Sequence, residues 1–432
     1  MAKRKKMRNR IWLLLLIACV IAGIAVWMER DSSQVEGIVK KNTQENKFPD
    51  AGEIIEVVSS QSLSKEQVAA ISEQNYGASA PAPKSGVTKA LIKYTSYDED
   101  GEKIEVYGRA YVPQSGSKLP VMGFAPGTTG IGDQCAASLE QPQTKNWANY
   151  ESHMSTYAGQ GYATFITDYE GMRDPSRLHH YMYGELAGRS VIDGVRALEN
   201  WNPVKNRLDD NNVFLAGFSQ GGHSVMWADK IAPQYAPNVK IKGVVGFGPV
   251  SDVERTLTDV TKGANINWFG PFVLTSYQDI YNEQYPVDQI LTARWAPSFE
   301  VETQAHCIDN LVAHFGKTPP GVYTPEFIAD MSDGKIDNPQ YADIARDLRA
   351  NAVGDQKTSS AKRIIQGGLD NVILPAQQND AFKKICANTI GPAELKIYPA
   401  ATHYNIMVQS FFDNLGWMES LRAGKAVQNA CR

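Results

Sequence analysis

Ser219, Asp370 and His403 are the residues of this chain whose types and order could do covalent chemistry. A serine hydroxyl is a poor nucleophile at neutral pH; it needs a base beside it, and the base needs an acid to orient it. Ser219 lies in Gly217-Phe218-Ser219-Gln220-Gly221, directly after the apolar run Val213-Phe214-Leu215-Ala216 and before a helix-compatible stretch, His223 to Ile231. A strand, a tight turn and a helix are what a G-x-S-x-G nucleophile elbow requires. Its serine occupies a strained turn where side chains two residues away would collide, which accounts for both glycines. The pattern alone is weak and counts only in that context.

Four of the seven histidines follow Ser219. His223 is too local to reach back to the hydroxyl, and His306 and His314 fall in a strand-poor stretch. His403 follows the last strand-like segment, in Tyr398-Pro399-Ala400-Ala401-Thr402-His403-Tyr404. Asp370 ends the loop Gly367-Gly368-Leu369-Asp370 after the apolar run at 363–366. Its competitor, Asp380, lies inside the next helical pattern. Serine, acid and histidine then occur in the order expected of strand-end triads. An oxyanion needs two N–H donors. Gln220, at the start of the elbow helix, supplies one, and Thr128, in Ala125-Pro126-Gly127-Thr128-Thr129-Gly130, supplies the other.

The elements that must position these residues alternate. Val87 to Thr95 and Ile104 to Val112 flank Asp98-Glu99-Asp100-Gly101 as an antiparallel hairpin. Short apolar runs at 120–124, 163–167, 213–216, 241–247, 363–366 and 394–398 read as buried strands. Glu185 to Asn200 reads as a helix with Ala187, Val191, Val195 and Leu198 on one face. The pattern predicts a doubly wound, mostly parallel α/β sheet. Core segments 51–250 and 356–432 are interrupted by a strand-poor helical insertion, 251–355, after the sixth strand, expected to cap the strand ends. Tyr277, Tyr281 and Tyr285 recur every fourth residue there, so Tyr277 and Tyr281 are candidates for an acyl-pocket wall or for packing inside the cap.

With 43% hydrophobic and 21% charged residues the chain is globular, and a net charge of −4 gives no case for nucleic acid. Named metal, redox and nucleotide motifs are absent, so no metal or cofactor is expected. Lys3, Arg4, Lys5, Lys6, Arg8 and Arg10 precede an uncharged run from Ile11 to Met28. That run approaches bilayer thickness as a helix. Residues 1–30 are therefore expected to anchor the chain in a membrane with the rest outside. A cleaved signal peptide and a lipoprotein box ending at Cys19 are the rival readings. Residues 31–50 read as a polar tether. Cys135, Cys307, Cys386 and Cys431 suit two disulfides, with three pairings open. The lack of any Asn-x-Ser/Thr acceptor favours a bacterial source.

Across about Gly52 to Cys431 the chain resembles the secretory lipase family of α/β-hydrolases, in particular its bacterial members with a G-T-T-G loop. The resemblance rests on Pro126 to Cys135, Thr167-Asp168-Tyr169-Glu170-Gly171, Gly217 to His223, Gly367 to Asp370 followed by Pro375, and Cys386 with His403. It implies Ser-His-Asp ester hydrolysis of an ester or lipid substrate, no cofactor, a helical cap over an acyl pocket, and disulfides Cys135–Cys307 and Cys386–Cys431. Asp168 and Tyr169 are added as candidate substrate contacts. Two departures stand out: position 126 is proline where members often carry histidine, and Gly171-Met172-Arg173 replaces Gly-Leu-Gly, expected to bring a cation near the entrance. A peptidase of the same fold is the main alternative, with Asp168 and Glu170 as the carboxylates for a peptide amine. A non-catalytic membrane-anchored binding protein is the other.

Overall fold

Leu119–Ala125 and Ala163–Thr167 are buried at every position, as strands covered on both faces must be. They lie inside the single nine-stranded sheet of this computed structural model, which describes residues 47–141 and 145–431. In chain order the strands are β1 (Ile54–Leu63), β2 (Val87–Tyr97), β3 (Lys103–Pro113), β4 (Leu119–Ala125), β5 (Ala163–Thr167), β6 (Leu208–Phe218), β7 (Ile241–Phe247), β8 (Ala361–Gly367) and β9 (Ala393–Tyr398). Their order across the sheet is β1-β2-β3-β5-β4-β6-β7-β8-β9. Pairing is antiparallel from β1 to β5 and parallel from β5 through to β9.

Successive residues of β4 face opposite layers. Val121 packs with the helices Gly184–Asn200 and Gln220–Tyr235, whereas Met122 and Phe124 pack with Tyr150–Gly159 and Phe411–Arg422. The first of these helices carries Ala187, Val191, Val195 and Leu198 into the core, as its periodicity predicts. Because β5 lies on one side of β4 and β6 on the other, the chain reverses its direction of winding at β4. Crevices at the carboxyl ends of such strands are where doubly wound sheets bind ligands.

Two expectations need correction. β1 was not anticipated: eight of its ten positions are exposed, so no alternating apolar pattern marks it, and the insertion therefore follows the seventh strand. The last residues assigned to the tether, 48–50, belong to the folded unit, because Phe48 is buried against Tyr97 and Tyr235 and the Asp50 carboxylate pairs with Lys103; 31–46 lie outside the described residues. Phe48–Arg432 forms one compact unit. The expected anchor lies outside the described residues; among those described, no helix is long and apolar enough to cross a membrane.

Between β7 and β8 the chain runs through the helices Val253–Thr261, Phe269–Ile280, Val287–Ile290, Phe299–Ala305, Ile308–Phe315, Pro325–Ser332 and Ala342–Ala350. They enclose their own apolar cluster around Trp268, Phe272, Leu311, Tyr323 and Phe327.

Candidate active site

The turn after β6 carries Ser219 at φ 55°, ψ −114°, a backbone conformation that costs a non-glycine residue about 1–3 kcal/mol. Neighbouring strands hold it there. The Ser219 amide donates to the Phe247 carbonyl at 2.9 Å, and the Ser219 carbonyl accepts from Gly222 and Val250 at 3.0 and 3.2 Å. A Cβ at Gly217 would lie 2.1 Å from the Gly221 oxygen, and one at Gly221 would lie 1.9 Å from the Ala125 oxygen. Both flanking positions must therefore be glycine.

His403, on the loop after β9, and Asp370, on the loop after β8, are both buried. The imidazole Nδ1 lies 2.7 Å from Asp370 Oδ2; a carboxylate can only accept, so Nδ1 carries the hydrogen. Asp370 Oδ1 accepts from the amides of Val372 and Ile373 at 2.9 and 2.8 Å. Both oxygens are thus committed, and the carboxylate is fixed in direction. Gly248, at φ +50°, leaves room for the pair: a Cβ there would stand 3.1 Å from His403 Nδ1 and 3.2 Å from Asp370 Oδ2.

Ser219 and His403 border one cavity of about 370 Å³. Its polar wall includes Thr128, and its apolar wall includes Ile266, Trp268 and Phe269 from the insertion with Val372 and Ile373 from the Asp370 loop. The run Trp268-Phe269-Gly270-Pro271-Phe272 was the sequence signal for this wall, and it went unread. Gln220 opens the elbow helix, where its amide has no carbonyl one turn back to bond. The positive end of the helix also favours anions there.

The Thr128 loop is braced on all sides. Gly127 N–H donates to the Tyr150 hydroxyl at 2.8 Å, Tyr169 donates to the Pro126 carbonyl at 2.6 Å, and Thr128 Oγ1 meets the Tyr181 hydroxyl at 2.8 Å. Proline at 126 therefore keeps its one remaining polar group, the carbonyl, satisfied. A disulfide joins Cys135 to Cys307, and a second joins Cys386 to Cys431. The first closes a separation of 172 residues, which in the chain-entropy picture contributes about 5 kcal/mol.

The four candidate substrate contacts lie elsewhere. Tyr277 is fully buried and donates to the Met182 carbonyl, and Tyr281 accepts from Asn351; both are packing inside the insertion and neither lines the cavity. Asp168 is buried, receives the amide and hydroxyl of Ser138, and is pushed up to about 6 by burial. Tyr169 braces the Pro126 loop from below. Glu170 is equally enclosed, so neither carboxylate can meet a peptide amine. Arg173 stacks over Tyr107 and donates to Ser138 rather than bordering the cavity.

Sequence reasoning also missed a buried assembly behind the elbow helix. The Gln220 side-chain amide meets His179 Nε2 at 2.9 Å, and His179 Nδ1 meets the Glu170 carbonyl at 3.1 Å. His180 Nε2 donates to Asp279 at 2.9 Å while its amide donates to the Glu170 carboxylate.

A mostly parallel, doubly wound sheet with a serine at a positive-φ elbow defines an α/β-hydrolase. The sequence profile of the Secretory lipase family matches residues 149–429, and the chain belongs to that family. "Lipase A" of Moesziomyces aphidis is 29% identical over 38% of this chain and 30% of its own length. A secreted triacylglycerol lipase of Malassezia globosa is 22% identical over 79% of this chain and 74% of its own. The alignments thus span from under a third to about three quarters of these curated relatives. Among solved structures, the rice cell wall degrading esterase LipA from Xanthomonas oryzae superposes with a TM-score of 0.67 at 18% identity, covering 87% of this chain and 97% of that one.

Proposed function

We propose that the protein hydrolyses carboxylic esters through Ser219, His403 and Asp370. The observation that carries this reading is that the strained serine and an Asp-oriented imidazole border the same cavity. His403, with Nδ1 occupied by Asp370, takes the Ser219 proton on Nε2. The serine oxygen attacks the ester carbonyl, and the amides of Gln220 and Thr128 hold the oxyanion. His403 then returns the proton to the departing alcohol. Water, activated by the same nitrogen, releases the acyl group. The apolar wall contributed by the insertion suits an acyl chain, which makes 251–355 a lid over a core of 51–250 and 356–432.

Relatives described as secreted, the two disulfides and the basic-then-apolar N-terminus support a site outside the cytoplasm. Anchoring rests on residues 1–30 alone. A bacterial source rests only on the missing glycosylation acceptors, and the curated relatives named above are fungal.

Ser219→Ala is expected to abolish hydrolysis of short p-nitrophenyl esters, with a loss on the order of 10⁶-fold in kcat, while the circular dichroism spectrum is unchanged. A fluorophosphonate should label the unaltered chain and not the variant. Hydrolysis that persists in Ser219→Ala overturns the assignment.

A further inference from the structure

We propose that Glu302, His306 and His314 form a site for a divalent transition metal of the zinc type, separate from the Ser219 cavity. Glu302 closes the helix Phe299–Ala305 one turn before its end, His306 follows that helix, and His314 lies in the last turn of Ile308–Phe315. The spacing matches no named metal motif, so a scan of the sequence passes over it; the bend between the two helices creates it.

The donor atoms of the three side chains all lie within 4.8 Å of one another. Glu302 Oε2 is 2.9 Å from His314 Nε2 and 3.6 Å from His306 Nε2. Two ligands at zinc bond length in a tetrahedron are about 3.3 Å apart, so these spacings already bracket the need. The imidazole centroids are 3.7 Å apart, whereas two rings on one tetrahedral ion stand about 5 Å apart, so the rings must fan open for both Nε2 atoms to bind. Each ring has a neighbour that holds it. Asn310 reaches His306 Nδ1 at 3.1 Å, and its amide can turn its carbonyl to an Nδ1–H once Nε2 binds a metal. His314 packs against Trp295.

The donor chemistry selects the ion. Two imidazoles and one carboxylate suit Zn²⁺, Co²⁺ or Ni²⁺, whereas Ca²⁺ and Mg²⁺ ask for six or more oxygens. The side chains are about one quarter to one third exposed, which leaves a fourth position for water.

The place in the fold gives the site a consequence. At the joint of the two helices sit Cys307, tied to Cys135, and Ile308, the first residue of the second helix, whose amide donates to the Thr129 carbonyl at 2.9 Å and which lines the cavity. A metal here staples the joint that carries those contacts and stiffens the wall beside Thr128. It takes no part in the ester chemistry.

The test uses the full, tag-free chain, stripped with EDTA and titrated with ZnCl₂ by calorimetry. One site is expected, with a Kd in the micromolar range or tighter, together with a raised thermal midpoint that MgCl₂ and CaCl₂ do not reproduce. CoCl₂ should give visible absorption of a four-coordinate N/O site, quenched by zinc. His306→Ala and His314→Ala should each weaken binding roughly tenfold or more, and Glu302→Gln should weaken it too. Ser219→Ala should bind as the unaltered chain does, so the result stands apart from the fate of the hydrolase reading. Absence of zinc heat and of the cobalt band on the unaltered chain overturns the proposal whatever the variants do. So does undiminished affinity in the His306→Ala, His314→Ala double variant, which would put the metal elsewhere.

Discussion

Two imidazole–carboxylate assemblies flank the elbow, and they do opposite things with similar parts. On one side His403 gives a single nitrogen to Asp370, and the ring borders the cavity. On the other, His179 and His180 are enclosed by Glu170, Asp279 and Gln220, and neither lines the cavity. The histidines of both sets are buried, and both sets have carboxylates. What separates a base from a brace is whether one nitrogen is left facing the space where substrate binds.

The charge states of the closed assembly follow from its partners. Burial would keep Glu170 protonated, but His179 and His180 outweigh it and hold the carboxyl down at about 2. Burial would likewise keep His180 neutral, yet hydrogen bonds to Asp279 and Glu170 raise it to about 9. The closed assembly is a buried ion pair at neutral pH, fixed rather than poised.

The sharpest way to break the comparison is to remove the charge from the open assembly. Asp370→Asn keeps shape and burial but can stabilise the other tautomer of His403, turning a hydrogen toward the serine. A loss of about 10⁴-fold in kcat is expected, with little change in KM, measured on a soluble short-chain ester. A loss of less than tenfold would mean that Asp370 only packs.

Removing the charge from the closed assembly should cost stability instead of rate. Glu170→Gln leaves the His180 cation with only Asp279, an exposed partner, and should destabilise the fold by about 3 kcal/mol. The pH dependence has a definite sign. His180 is raised above its ordinary 6.5, so its contribution is complete below 6.5 and lost as pH rises through about 9. Glu170 is depressed below its ordinary 4.5, so its contribution is complete above 4.5 and lost as pH falls toward about 2. The thermal midpoint of the unaltered chain should therefore fall between pH 6.5 and 9, and this fall should shrink in Glu170→Gln. An equal alkaline slope in both proteins would remove His180 from the account.

The same contrast explains what the sequence could tell. The strands at 163–167 and 241–247 have the bounds that the sequence suggests: the first is buried at every residue and the second from Gly243 onward, and a strand covered on both faces writes its burial into its residues. Ser219 and Asp370 could be put forward because each comes soon after a buried strand end, and His403 because the loop after β9, a partly exposed strand, carries a histidine. β1 could not, since an edge strand with one exposed flank carries no such signature. The closed assembly was harder to read: Glu170 and His180 meet within the loop between β5 and the helix Gly184–Asn200, but Asp279 reaches His180 only through the packing of the insertion. The choice between cavity wall and internal packing was left open for a related reason. Both Trp268 and Tyr277 sit in aromatic-rich helical sequence, and periodicity cannot say which side of a helix-rich insertion faces the serine.

Tyr277 gives the smallest and most discriminating prediction. Its ring is fully buried, and its hydroxyl donates to the Met182 carbonyl at 3.2 Å. Tyr277→Phe keeps the ring and deletes one neutral hydrogen bond, so the cost should be about 1 kcal/mol of stability. KM and kcat for a chain-length series of esters should be unchanged, because the residue lies outside the cavity. In contrast, Trp268 lines the cavity, and its identity should matter to the longer acyl chains. If Tyr277→Phe shifts the chain-length preference while leaving the thermal midpoint untouched, the insertion opens along a different face during turnover, and the wall drawn through Ile266, Trp268 and Phe269 is the wrong one.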